Sequence, residues 1–595
     1  MLRGVSLLRS ALVALLALLA CATPAAAAGD PVMPLSEVQR GMQCTGYTVI
    51  RGADISSFDA IVEDVVYDAV DTATILITIS GPAVDETGAG PGFSGSPIYC
   101  PSRADGNPQV IGALAFGIGD YDNKTVLVTP IESMLGEPVI PPSSARRATA
   151  RERRATPLGT PLSVSGLAPP VAAVFQRAAA RRGRTVFAAP ARSRATNFPV
   201  QTLRPGSAVA VGYSSGDVAL GGIGTVTYVD GSNVWAFGHP LESVGRRSLF
   251  LEDAYVYAVI SSPSIGGAQS TYKLAAPGHD IGTLTGDGAF SVTGVTGALP
   301  PHFPLSVTAT DEDRDITKNL HVELADERQI GNPTGFSPLG FVGASTVAQA
   351  AYAALQGSPL NTSGDMCVSF RVAERSKAMG FCNTYVAAGT GLASDGAGAL
   401  AGAAPVLDFG AAASLIDSYR LGSLTLTRVN VTLNLRRGLA QAFMTRMTGP
   451  RKVTRGKDYR VRMFFRRPGG KERSVALSVP VPLGMARGRR ELVLSGTPSD
   501  LVGGGFDALL SDLFGGGGGG FDEAGPRSLA ALSKQIGGIH RYDGVTASFR
   551  ARRRNGQDLA ERNTGATGAA LRERPVFRTP KLRYSGAVSI PVVVR

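Results

Sequence analysis

Gly92-Phe93-Ser94-Gly95-Ser96-Pro97 and Phe237-Gly238-His239-Pro240 are the two stretches that organise the rest of this 595-residue chain. Each puts one polar side chain in a tight glycine turn, and each turn is bordered by strand-like sequence. Ahead of the first, Thr72 to Ile79 (TATILITI) is rich in β-branched and apolar residues, which suits a buried strand. Behind it, Ser96 to Tyr99 leads through Asp105-Gly106 to Val110–Gly117, a strand, a turn and a return strand. Thr125 to Leu135 follows as a strand running into a short helix. Around the second turn, Gly224–Val229 and Asn233–Phe237 flank Asp230-Gly231, a strong hairpin signal. Ile281–Thr285 and Ala289–Val295 flank Gly286-Asp287-Gly288 in the same way. The expected class is therefore mainly β.

The chemistry of the two turns follows from their residue types. A serine hydroxyl is a poor nucleophile at neutral pH and needs an adjacent base and a place for the developing oxyanion. Glycines on both sides of Ser94 let the backbone turn sharply without a Cβ clash. Such a turn can aim the amides of Gly92 and Ser94 at one point, the geometry of an oxyanion hole. His239 is one of only five histidines and stands directly after a strand, whereas His279, His302, His321 and His540 lack a comparable setting. Position 96 is serine where the α/β-hydrolase elbow has its last glycine, so that fold is disfavoured. Taken singly, each turn also reads as an ordinary structural turn.

Taken together, the turns and their surroundings resemble the stage IV sporulation protein B (SpoIVB) serine peptidase family. The first block rests on Phe58-Asp59-Ala60-Ile61-Val62, Glu86-Thr87-Gly88, the Ser94 turn and Ile111-Gly112-Ala113. The second rests on Gly222-Ile223-Gly224-Thr225-Val226-Thr227, Ala236-Phe237-Gly238-His239-Pro240 and Ile281-Gly282-Thr283-Leu284. The resemblance implies a chymotrypsin-like double β-barrel and an acyl-enzyme mechanism, with Ser94 as nucleophile and His239 as base. In that family the histidine block precedes the serine block. Here the order is swapped, as in a circular permutation of the two half-barrels, which triad logic tolerates because it depends on geometry. The family's acid lies upstream of the serine, but Ile77-Thr78-Ile79-Ser80-Gly81 carries no carboxylate. Asp85 is the nearest substitute; Asp59 and Asp253 are the others.

The ends and the composition bound the rest. Arg3 and Arg9, an apolar run from Ala11 to Ala20 and the Ala25–Ala28 stretch read as a secretory signal peptide cleaved before Gly29. A lipoprotein reading at Cys21 is the alternative. Beyond Cys21 four cysteines remain, an even count that favours disulfides in an exported protein; Cys367 with Cys382 and Cys44 with Cys100 are the expected pairs. No Cys-x-x-Cys motif or His/Cys cluster points to a metal, and no cofactor is expected. The net charge of +12 suits an anionic surface such as a cell envelope, but the basic residues are not interleaved with aromatics as base stacking needs. A nucleic-acid partner is therefore not expected; a protein or peptide substrate is, and the arginine-rich stretch 146–154 makes the chain its own candidate substrate.

The expected organisation is a signal peptide over 1–28, a Ser-containing half of a peptidase domain over 29–136 and a basic linker with a helix near Pro170–Arg182 over 137–202. A His-containing half follows over 203–335, then a mixed segment over 336–404 with a helix at Ser345–Leu355. A C-terminal β domain with a Gly515–Gly520 loop and a sandwich-like pattern fills 405–595. The competing function is a catalytically inactive scaffold of the same fold that binds the envelope.

Overall fold

The computed structural model describes residues 29–68, 72–118, 122–142, 162–180, 185–189, 198–263, 269–330, 337–388, 404–419, 421–496, 525–539, 544–551, 575–579 and 582–595. The signal-peptide stretch with Cys21, the arginine runs at 146–154 and 552–554, His540 and the Gly515–Gly520 loop lie outside these residues. The protein is mainly β. It divides into two compact units: residues 1–161, 193–212 and 221–300 form the first, and 162–192, 213–220 and 301–595 the second. The first unit ends at Pro300.

In the first unit, six strands close into a barrel: β1 (Gln43–Arg51), β2 (Asp54–Tyr67), β3 (Ala73–Ser80), β4 (Pro97–Pro101), β5 (Pro108–Ile118) and β6 (Asp122–Pro130), in the order β1-β2-β3-β6-β5-β4. The alternation of β3 explains its place: Ile75, Ile77 and Ile79 are fully buried while the residues between them are not. They pack with Phe58, Val62, Phe93, Ile98, Leu114 and Val128 in one apolar core. The Cys44–Cys100 disulfide ties β1 to β4, where Thr45 already pairs with Tyr99.

The remaining strands of this unit are β7 (Ala208–Gly216), β8 (Ala219–Asp230), β9 (Asn233–Ala236), β10 (Gly245–Pro263), β11 (Gln269–Asp287) and β12 (Val292–Thr296). The β7 and β8 ends nearest their connecting turn belong to the second unit. The pairing order is β7-β10-β11-β12-β9-β8, and β8 also pairs with β7, so the ladder returns on itself. Both hairpins read from the sequence are present, with Asp230 opposite Asn233 and Leu284 opposite Gly294. The long β10–β11 hairpin was not anticipated; register shifts along it break the alternation by which a strand is recognised.

The second unit carries a sheet in the order Met379–Ala388, Asn361–Val372, Leu426–Arg437, His302–Asp311, Ile316–Ala325. Cys367 and Cys382 are direct cross-strand neighbours and form the second disulfide. Helix Pro338–Ala354 begins where the Ser337 hydroxyl accepts from the Gly340 amide at 2.9 Å, earlier than the sequence indicated. It packs on helix Ala404–Asp417, which the Ala/Gly-rich sequence did not announce; a Cβ at Gly343 would lie 2.2 Å from the Phe409 ring. Beyond residue 440 a four-stranded and a five-stranded sheet enclose one core that includes Met463, Leu477, Leu494, Tyr584 and Val592, a sandwich-like arrangement. Strand Leu426–Arg437 joins the other sheet, so this β layer is shorter than 405–595. Among the described residues no helix is long and apolar enough to cross a membrane.

Candidate functional site

The Ser94 turn sits between β3 and β4 in two left-handed glycines, Gly92 at φ +93° and Gly95 at φ +94°. Gly95 cannot be replaced: a Cβ there would meet the Thr225 carbonyl oxygen at 1.9 Å and the Phe237 nitrogen at 2.5 Å. Those two contacts identify the neighbour. The Thr225 N–H donates to the Ser94 carbonyl at 2.8 Å, and the Thr225 carbonyl accepts from the Phe237 N–H at 3.2 Å. A single residue of β8 therefore bridges the serine turn and the histidine turn. On the other side, the Gly95 N–H donates to Leu114 O of β5 at 2.8 Å, and Gly238 rests on the Ala113 and Ala115 methyls of the same strand. The two motifs, remote in sequence, lie side by side across β5 and β8.

The amides of the turn separate into two sets. Phe93 N–H donates to Gly90 O at 2.9 Å, Gly95 N–H to Leu114 O at 2.8 Å and Ser96 N–H to Phe93 O at 2.9 Å. Gly92 N–H and Ser94 N–H have no acceptor among the described residues. Buried backbone donors are nearly always paired, so two orphaned N–H groups in one turn mark a place prepared for an acceptor. The Ser94 hydroxyl likewise has no partner among the described residues, and Ser94 is only 3% exposed.

His239 is wholly buried. Its Nδ1 lies 2.8 Å from the carbonyl oxygen of Pro240. A carbonyl only accepts, so Nδ1 carries the proton and Nε2 is left as a bare lone pair, buried and without a partner among the described residues. Burial pushes the imidazole down to about 4, against a smaller upward effect of the Pro240 carbonyl. The loop after the histidine is anchored by Asp287, whose carboxylate accepts from the N–H groups of Leu241 at 2.7 Å and Glu242 at 2.9 Å. No hydrogen bond joins Ser94 Oγ to His239 Nε2 in this form.

The three carboxylates considered as the orienting acid lie elsewhere. Asp85 is exposed and pairs with Lys124 at 3.3 Å. Asp59 is an exposed residue of β2 opposite Ser80. Asp253 is buried and engages His279 Nδ1 at 3.0 Å and the Gln201 N–H at 2.8 Å. Neither Asp85, Asp59 nor Asp253 touches His239, whose Nδ1 is held by main chain instead.

Sequence reasoning missed Lys273, Thr48, Thr225 and Ser96, which form a buried polar cluster directly beneath the turn. Lys273 Nζ donates to Thr48 Oγ1 at 2.6 Å and Thr225 Oγ1 at 3.1 Å, and lies 4.6 Å from the centre of the Phe93 ring. Burial pushes its amine down to about 7. A signal was available: Thr271, Lys273 and Ala275 alternate inward along β11, so a lysine occupies a core position. No group of acidic, histidine or cysteine side chains suited to a metal occurs among the described residues.

No protein-family model matches the chain, and neither does any curated protein or solved structure.

Proposed function

We propose that the chain is an exported serine endopeptidase built on a permuted double β-barrel of the chymotrypsin-like kind, related to the SpoIVB peptidases. The observation that carries this reading is that two turns in main-chain contact both hold unsatisfied groups. The Ser94 hydroxyl, the Gly92 and Ser94 amides and His239 Nε2 all lack partners among the described residues, and Thr225 ties both turns together. Each group has a part in acyl transfer. Ser94 Oγ attacks the peptide carbonyl and gives its proton to His239 Nε2. The Gly92 and Ser94 amides receive the oxyanion. His239 returns the proton to the leaving amine, and water then releases the acyl group. The Pro240 carbonyl takes the orienting part that a carboxylate has in a full triad, by holding Nδ1–H. The substrate is a protein or peptide, the chain's own arginine-rich 146–154 stretch included.

One observation favours a second reading, an inactive scaffold that binds the envelope. A neutral carbonyl does not stabilise an imidazolium as a carboxylate does, and an imidazole held down to about 4 is a weak base at rest. Fluorophosphonate labelling of the mature protein separates the two. An adduct on Ser94 that disappears in His239→Ala supports the peptidase; folded protein that gives no adduct, and no self-cleavage, leaves the scaffold.

A further inference from the structure

We infer that Lys273 is a positioning residue that holds the Ser94 turn with its two free amides facing outward: its main-chain N–H fixes the carbonyl behind the Gly92 amide, and a one-way chain of side-chain hydrogen bonds from it ends on the carbonyl behind the Ser94 amide. The inference rests on the peptidase reading for what the amides are used for, but its geometry stands independently.

A trans peptide is planar, with its C=O and N–H pointing in opposite directions. The Gly92 N–H therefore aims away from the Pro91 carbonyl, and the Ser94 N–H away from the Phe93 carbonyl. Holding those two oxygens aims the two amides. The Pro91 oxygen accepts the Lys273 main-chain N–H at 2.9 Å. The Phe93 oxygen accepts both the Ser96 N–H at 2.9 Å and the Ser96 hydroxyl at 2.6 Å.

The direction of the side-chain network follows from counting protons. Ser96 has one hydroxyl proton, and a carbonyl can only accept, so that proton goes to Phe93 O. The 3.0 Å contact between Ser96 Oγ and Thr48 Oγ1 must then be Thr48 donating. Thr48, having given its proton, accepts from Lys273 Nζ at 2.6 Å. On the other branch, Thr225 Oγ1 donates to the Gly92 carbonyl at 3.1 Å and accepts from Lys273 Nζ at 3.1 Å. Every bond runs outward from the lysine. An amine is required at the origin because it supplies two N–H donors at once, and the neutral form, which burial favours, has two. The lysine stem also lies against the turn itself: a Cβ at Gly92 would meet Lys273 Cβ at 2.8 Å, so glycine there makes room for the lysine. No charged side chain faces Nζ among the described residues, so a salt bridge does not account for its burial.

The test measures the second-order rate of fluorophosphonate labelling at Ser94 in wild type, Lys273→Met, Thr48→Val and Thr48→Ser, with Trp235 fluorescence reporting the fold. Losing one oxyanion donor costs on the order of 100- to 1000-fold in related chemistry, so a misaimed amide is expected to cost about 10- to 100-fold. Lys273→Met and Thr48→Val should show that loss, whereas Thr48→Ser, which keeps the hydroxyl, should stay within about 3-fold of wild type. Thr48→Val labelling at the wild-type rate overturns the inference. So does Thr48→Ser losing as much as Thr48→Val, because packing and not the hydroxyl then matters. Should Lys273→Met not fold, the two threonine variants decide. Should wild type itself never label, the peptidase reading fails, and crystal structures of wild type and Thr48→Val decide the inference alone. A rotated 93–94 peptide plane in the variant upholds it, and an unmoved one overturns it.

Discussion

Acidification should weaken the first unit through a single side chain, His239. The imidazole is wholly buried and held down to about 4, from an ordinary 6.5. Between those values the unfolded chain binds a proton that the folded chain refuses. The unfolded state then holds more protons, so stability rises with pH across the window and is lost as pH falls from 6.5 to about 4. Below about 4 both states are protonated and the contribution levels off. At about 1.4 kcal/mol per unit, the loss reaches about 3 kcal/mol, a large part of the stability of a typical domain. The assay is urea unfolding followed by the fluorescence of Trp235, the chain's one tryptophan. That residue is buried on β9, just ahead of the histidine turn, and so reports this unit. Wild type and His239→Gln are compared at intervals from pH 7 to 3.5, and the variant should lack the His239 share of the decline. Parallel pH curves for the two proteins would refute the reasoning. They would mean that His239 titrates near its ordinary value and that the chamber around Nε2 admits water.

The other predictions address different parts of the same unit. Replacing Gly95 by Ala forces a Cβ to within 2 Å of Thr225 O on a left-handed backbone, and should cost more than about 3 kcal/mol, seen as insoluble protein or a collapsed Trp235 unfolding midpoint. The Cys44–Cys100 bridge closes a 56-residue separation, and removing it as a Cys44→Ala, Cys100→Ala pair should cost about 4 kcal/mol on the chain-entropy estimate, read from the same urea curves. Asp85→Asn should leave the Ser94 labelling rate within about 2-fold of wild type, since its exposed carboxylate pairs with Lys124 and a surface pair contributes little. At alkaline pH the sign for Lys273 parallels that for His239. Its amine is neutral in the fold above about 7 but still charged in the unfolded chain up to 10.5, so stability should climb across that interval by up to about 1.4 kcal/mol per pH unit. Lys273→Met should flatten that climb.

The parts of this molecule legible in the sequence were those written in local code. Asp230-Gly231 and Gly286-Asp287-Gly288 each announced a hairpin, and the registers Asp230–Asn233 and Leu284–Gly294 place the strands as read. The cysteine pairs followed from parity and proximity, and both disulfides are present. The β10–β11 hairpin was hidden by bulges that shift its phase, and helix Ala404–Asp417 by an Ala/Gly composition with little amphipathic contrast. At the site, the two turns could be singled out because Gly92, Gly95 and Gly238 take left-handed backbone that glycine favours. Their adjacency could not, because it depends on one threonine of β8 bonding both ways. Lys273 and Thr48 act through long-range partners, 225 residues apart, and no short motif records such a pair. The orienting group on His239 escaped for a different reason: it is a carbonyl, and every residue has one.

The bridging role of Thr225 also sets a clock. Ser94 and His239 are 145 residues apart, and β8, which joins their turns, lies near the later of the two. At about 5 to 20 residues per second, the ribosome adds Ser94 roughly 7 to 30 seconds before it adds His239. During that interval the hydroxyl has no base beside it and the growing chain carries an inert serine. On the proposed reading, reactivity switches on only when β8 and the strand ahead of His239 have folded against the serine turn. On that same proposal, this order of synthesis would spare the nascent chain from its own serine.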